Sequence, residues 1–305
     1  MKALQYNVPL KAGTTLKLAL FSDIHFDSPD CDKITLKKHF DYCLKDGRYI
    51  LINGDLFDAI LLKDQKRAVN HLMEKNDNQL NTKINAVVEF LRPYKNNILF
   101  IGRGNHEESI LKYSGLDVLE MTGQILNTDS KNKHKIEIGN YSNFLRFNFV
   151  DKNNKPKTHY DIFLHHGLGG SAPVSAGMID FNRMSTSIVA DLIAIGHKHR
   201  AIQNNSQPIM YADQNGEIKI KNRQFIQTPS YQKNKTMTNE INFGEKFYTN
   251  TAVPGFGSID LTPFWDEDKY KINADIKIIT NPYIKVGKMD MIKLKIMQKQ
   301  KEFSK

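Results

Sequence analysis

The chain is poor in cysteine, in tryptophan and in long apolar runs. Of 305 residues, two are cysteine (Cys31 and Cys43) and one is tryptophan. Two thiols twelve residues apart make neither a disulfide framework nor a zinc-knuckle spacing. That excludes a small, stapled secreted fold and fits a reducing, cytoplasmic setting with two ordinary buried thiols. No apolar run approaches the roughly eighteen residues of a membrane-spanning helix. The run Leu16 to Phe21 is too short for the apolar part of a secretory leader and leads into an acidic, histidine-containing turn, so no signal peptide is expected. There is no internal repeat, and no G-K-[ST] that would mark a nucleotide P-loop.

What is present is ordinary for a soluble globular chain, 40% hydrophobic and 25% charged. It is long enough for one large domain, or one domain with an extension. The net charge is +10, and residues 283–305 carry seven lysines against Asp290 and Glu302, half of that excess. A basic balance suggests acidic partners such as nucleic acid or anionic lipid; a lysine-rich, solvated end is the plain alternative.

Short apolar runs alternate with helical patterns over the first 260 residues or so, as in βα architectures. Strands are expected at Leu16–Ser22, Tyr49–Asn53, Ile98–Gly102, Tyr160–Leu164 and Asp191–Ile195. Helix is expected over Lys33–Lys45, with Ile34, His39, Phe40 and Leu44 inward, and over most of Ala59–Tyr94, broken near Asn76–Asn81. Ile136–Ile138 and Phe144–Val150 read as an antiparallel hairpin. After His199, short alternating segments at Ile209–Tyr211, Glu217–Ile220, Gln224–Gln227, Phe256–Leu261 and Tyr270–Ile279 read as a second, antiparallel sheet or its edge. Ser230–Gly257 reads as a long loop or small insert.

Five strands end in residues that bind metals. Asp23 and His25 follow the first, Asp55 and Asp58 the second, and Arg103-Gly104-Asn105-His106-Glu107 the third. His165-His166 closes the fourth, and Gly196-His197-Lys198-His199 the fifth. Six of the ten histidines lie in these clusters. Open α/β sheets bind ligands at the carboxyl ends of their strands, so the clusters can converge. Two imidazoles on one side of a tight turn make a metal pincer. Gly196 is expected to permit that turn, and Lys198 to be a solvated lysine.

D-x-H, G-D-x-x-D, G-N-H-E, H and G-H-x-H, in that order, resemble the calcineurin-like metallophosphoesterase superfamily over about two-thirds of the chain. The resemblance implies an α/β fold, a four-layer αββα sandwich of two mixed sheets. Its catalytic domain would cover residues 1–230, with 231–305 a C-terminal extension, a substrate-binding cap with a basic tail. It implies two divalent ions, manganese first, with zinc or iron as alternatives. Asp23, His25 and His199 would hold one ion. Asn105, His197 and His165 would hold the other, His165 being preferred because it directly follows its strand and His166 being the alternative or a substrate contact. Asp55 would bridge the two. A hydroxide shared by the ions would attack phosphorus in line, with His106 as general acid. Asp58 or Glu107 would orient a neighbour, and Arg103 would clamp the phosphate.

The G-D-L-F-D spelling resembles the nuclease branch, the DNA-repair exonucleases that pair with a coiled-coil ATPase. Protein phosphatases share the R-G-N-H-E spelling but lack a G-H-x-H. A phosphodiesterase acting on DNA is therefore the leading expectation. A phosphatase or phosphodiesterase for a small nucleotide, metabolite or phosphoprotein comes second, and a non-catalytic scaffold of the same fold last. The glycine-rich loop His166–Gly177 is a candidate lid over the substrate.

Overall fold

Among the described residues, twelve strands and five α-helices follow one another along the chain. The strands are β1 (Lys2–Pro9), β2 (Leu16–Phe21), β3 (Tyr49–Asn53), β4 (Ile98–Gly102), β5 (Glu137–Ile138), β6 (Ser142–Val150), β7 (Pro156–His165), β8 (Leu192–Ile195), β9 (Ile202–Ala212), β10 (Ile218–Gln227), β11 (Phe256–Asp266) and β12 (Lys269–Ile279). The helices are α1 (Lys33–Lys45), α2 (Gln79–Leu91), α3 (Asn105–Ser114), α4 (Val118–Asn127) and α5 (Met178–Ser185). This computed structural model describes the chain apart from residues 12, 59–78, 129–132, 168, 170–177, 213–214, 233–252, 267–268 and 281–305.

The strands make two six-stranded mixed sheets, ordered β1-β6-β7-β8-β10-β9 and β12-β11-β2-β3-β4-β5. Side chains alternate across a strand, so each apolar run feeds two cores. In β2, Leu16, Leu18 and Leu20 face the other sheet and join Leu145, Phe147, Ile162, Leu164 and Leu192 in one cluster. Ala19 and Phe21 face the opposite way, against Leu36 and Phe40 of α1 and Val87 and Leu91 of α2. A third cluster puts Phe163, Ile193 and Phe225 against Phe181 of α5. Helix, sheet, sheet and helix are therefore stacked with three apolar seams, the four-layer α/β arrangement that the motifs imply.

α1 spans the expected residues, begun by Asp32, whose side chain accepts from Thr35 N–H at 3.1 Å. Its inner face differs, because Leu36, His39, Phe40 and Cys43 are buried while Ile34 and Leu44 are exposed. The i, i+3, i+4, i+7 spacing selects the first set. Both cysteines are buried, and neither is in a disulfide.

Three expectations are corrected. Glu137–Ile138 and β6 form no hairpin: β5 pairs parallel with β4, and β6 lies in the other sheet between β1 and β7. The chain changes sheets there because β5 only finishes one sheet while the long β6 fills both faces of the next. The later strands make no separate sheet. The hairpins β9–β10 and β11–β12 are antiparallel, yet each extends one of the mixed sheets, through β8 and β2 respectively. Phe256–Ile279, assigned above to an extension, thus belongs to the sandwich, held by the apolar inner face of Ile259, Leu261 and Ile276. The third correction is β1, for which the expectation has no strand. Its signal is the period-two set Leu4, Tyr6, Val8, which packs on the inter-sheet core. The break near Asn76, the Ser230–Gly257 insert and the basic tail lie wholly or largely outside the described residues.

His39 is buried against the rings of Tyr231 and Phe256, with Nδ1 2.7 Å from the Tyr231 hydroxyl. Burial lowers its pKa from 6.5 to about 4. The folded state keeps this imidazole neutral, while the unfolded chain protonates it below about 6.5, so this contribution is intact above pH 6.5 and lost as pH falls toward 4. In thermal melts, His39→Gln is expected to flatten the fall of Tm between pH 6.5 and 4 relative to the wild type; parallel profiles would count against it.

Candidate metal centre

The strands β2, β3, β4, β7 and β8 end along one rim, and the turns that follow bring their polar residues together. Three groups have donor atoms within 4.8 Å of one another: Asp23, His25 and His199; Asp55, His166 and His197; and His25, Asp55 and His106. Asp55 belongs to two of them. His199 Nε2 lies 3.3 Å from Asp23 Oδ1 and His166 Nε2 3.1 Å from Asp55 Oδ2. Asn105 Oδ1 is 3.1 Å from His166 Nε2.

Among the described residues, six non-glycines have a left-handed backbone, and five are in these groups: Asp23, His25, Asp55, His197 and His199, with φ between 47° and 67°. Such a residue costs roughly 1–2 kcal/mol, so the five together approach the net stability of a domain. The strain persists because hydrogen bonds fix the turns beyond the strand ends. Asp23 N–H donates to Gly54 O at 3.2 Å, His25 N–H to Asp55 O at 3.0 Å, and Gly196 N–H to His166 O at 2.8 Å. Glu107, fully buried in the first turn of α3, accepts from the N–H groups of Gly104, Asp55 and Phe57 at 2.8–3.1 Å. It therefore fastens the Asp55 turn to α3 and does not face the centre as a reacting group.

The imidazoles are oriented from behind. His166 Nδ1 is 2.9 Å from Asn53 O, His106 Nδ1 2.7 Å from Asp58 O, and His25 Nδ1 3.1 Å from Asp58 Oδ1. Each contact leaves Nε2 toward the centre, as in histidines that ligate metals. His25 Nε2 is buried and has no hydrogen-bond partner, 3.8 Å from Asp55 Oδ2. An orphaned nitrogen beside buried carboxylates is what a cation between them would satisfy, so the donor set fits two divalent ions of the manganese, zinc or iron kind. Charge agrees. Burial alone would depress His166 and His25, yet the Asp55, Asp58 and Asp23 carboxylates carry them up to about 10 and about 9. Burial would raise Asp23, and the neighbouring His199 and His166 lower it to about 2.

Three expectations about individual residues change. His166 occupies the position expected of His165. Leu164 faces the inter-sheet core and Phe163 the outer one, so His165 points outward with Phe163 and His166 inward. Gly196 does not have a left-handed φ. A Cβ there would lie 2.7 Å from Asp23 Oδ2 and closer still to Ser22 Oγ, so close approach is what requires glycine. Lys198 is not solvated; its side chain is 6% exposed and pairs with Asp180. Arg103 pairs with Asp117 through Nη2, while Nη1 is buried without a partner. The lid candidate falls largely outside the described residues.

Sequence reasoning passed over several supports. Ser230 Oγ and Tyr231 N–H donate to Asp23 O at 2.9 and 3.1 Å, and the Tyr141 hydroxyl donates to Gly167 O at 2.8 Å with its ring against His166. None of these carries a local signal. Asp27, which accepts from Asp58 N–H at 2.6 Å, does: it continues the alternation of Asp23 and His25.

His166→Ala is expected to remove one equivalent of bound Mn2+ in a calorimetric titration, while His165→Ala keeps both. The reverse pattern would restore His165 as the ligand.

No curated protein matches this chain. Among solved structures it is similar to Vacuolar Protein Sorting 29 from Cryptosporidium parvum, at 12% identity over 87% of this chain and 99% of that one, with a TM-score of 0.34. Vps29 from Entamoeba histolytica, complexed with Zn+2, matches at 11% identity over 86% and 99%, TM-score 0.34. GAP50 of Plasmodium matches at 11% over 87% and 84%, TM-score 0.42. Likenesses this distant carry no functional argument. The calcineurin-like phosphoesterase family model matches residues 16–201. That span is more than half of the chain, and this protein belongs to the calcineurin-like phosphoesterase family.

Proposed function

We propose that the protein is a two-metal hydrolase of phosphodiesters, with DNA as its substrate class. The observation that carries this reading is the joining of two ligand groups through Asp55, with His106 beside them. Asp23, His25 and His199 would hold one ion, His166, His197 and Asn105 the other, and Asp55 both. Bound there, two divalent ions supply a clamp on the phosphate and an activated water.

The chain's own residues account for the rest. Asp58 O holds the Nδ1 side of His106 at 2.7 Å, which leaves Nε2 toward the centre to give a proton to the leaving oxygen. Asp58 also holds His25 through its carboxylate, so one residue sets both the acid and a ligand. Asn105, being neutral, keeps the rim from becoming too anionic for a phosphate to approach. The net charge of +10 favours an acidic polymer. A small phosphomonoester is the second reading, favoured by the unpartnered Arg103 Nη1. The grouping of His106 with the ligands speaks against a non-catalytic scaffold.

The test is hydrolysis of end-labelled linear DNA, bis-p-nitrophenyl phosphate and p-nitrophenyl phosphate with Mn2+. Wild type is expected to cleave the diesters, Asp55→Asn to be inactive, and His106→Asn to lose roughly 10²–10⁴-fold in turnover with Mn2+ affinity retained. Cleavage of the monoester alone would establish the second reading. Inertness with metal bound would leave the scaffold.

A further inference from the structure

Between His197 and His199 stands a lysine whose ammonium is directed away from the rim. Its side chain is 6% exposed, and Nζ meets the Asp180 carboxylate, 10% exposed, in the first turn of α5. A buried ion pair is a poor source of stability, since apolar residues of similar volume do as well or better. Its use is geometric, because a charge buried on one side accepts few positions on the other.

What lies on either side gives that geometry its purpose. His197 and His199 both have left-handed backbones, at φ 67° and 54°. On the inner side the turn is tied by His197 N–H to both oxygens of Asp23, at 3.0 and 2.8 Å. Within the turn, Lys198 N–H donates to Gly196 O at 2.8 Å. The Asp180 contact supplies the outer tie. α5 itself is fixed by Phe181, fully buried against Phe225 and Ile193. The chain thus sets one charged anchor behind two strained residues, against a helix packed on the strand they follow.

We propose that the Lys198–Asp180 pair is a positioning device for the metal centre, holding the two imidazoles of the Gly196–His199 turn where each would reach its own ion. The inference rests on the metal reading above. Neither residue touches the reacting atoms; both act through the histidines.

The experiment uses the full chain with Mn2+ and, separately, Co2+. Affinities come from calorimetry, the coordination signature from the visible spectrum of bound Co2+, and folding from thermal melts. Asp180→Asn is expected to weaken Mn2+ binding about 10–100-fold, the range for partners that orient metal ligands, and to change the Co2+ spectrum. Because that variant leaves an unpaired buried ammonium, the double variant Lys198→Met with Asp180→Leu removes both charges. It is expected to melt near the wild type while keeping the weakened affinity and the altered spectrum. Wild-type affinity and spectrum in the double variant would overturn the proposal, reducing the pair to a packing element. If the wild type itself bound neither ion, the metal reading would fall first and this inference with it. Wild-type binding with an unchanged double variant would sink the inference alone.

Discussion

Asp23 and Asp55 are both essentially removed from solvent, and everything along the rim answers to that. Moving one carboxylate out of water costs several kcal/mol after relaxation, and two beside each other cost more. Positive charge has to come from within the site. In the protein alone it comes from protons held on His25 and His166 against the pull of burial. Divalent ions are the other way to meet the same demand. Nitrogen ligates only when deprotonated, so the protons and the metal compete for the same atoms. The site is thus electrostatically unfinished by its own residues, as the orphaned His25 Nε2 also indicates.

Concentrating that charge requires strand ends to arrive at one place, and the arrival strains the backbone. The parallel core of β2, β3 and β4 and the pair β7–β8 deliver five turns to one rim. The two sheets are spliced by main-chain bonds such as that from Tyr231 N–H to Asp23 O, and the turns by two carboxylates: Glu107 accepts from three N–H groups, and Asp23 accepts His197 N–H on both oxygens. Glycine appears where backbones nearly touch. A Cβ on Gly54 would come within 2.6 Å of His166 Nδ1 and 2.8 Å of the Gly104 backbone. The apolar seams supply the free energy that these features consume, and local propensity is overruled at the positions where ligands sit.

The site was more legible in the sequence than the sheets around it. Short apolar runs ending in Asp, Asn and His are local patterns, and one pass along the chain finds them. Strand partnership is not local. Nothing in Glu137–Ile138 or Ser142–Val150 says that three intervening residues carry the chain from one sheet to the other. Nor does Phe256–Leu261 announce that it lies beside Leu16–Leu20, some 240 residues earlier. β1 was readable in Leu4, Tyr6 and Val8, but an edge strand with half-buried residues gives a weak alternation.

Two of the residue-level differences at the site share one geometry, that of a residue adjacent to a ligand and turned away from the centre. His165 and Lys198 each stand one position out of phase with a ligand, at the ends of neighbouring parallel strands. Both are therefore turned to the outer face, where α5 packs. There Asp180 pairs with Lys198, and its charge reaches His165 as well. Burial holds the His165 imidazole neutral, with a pKa of about 4, and its Nδ1 accepts from Gly167 N–H at 2.9 Å. One helix thus backs both ligand turns through residues that alternation had excluded from the centre. The polar residues between ligands are not spacers. They are the outer half of the same construction, and their chemistry is set by α5 as that of the ligands is set by the rim.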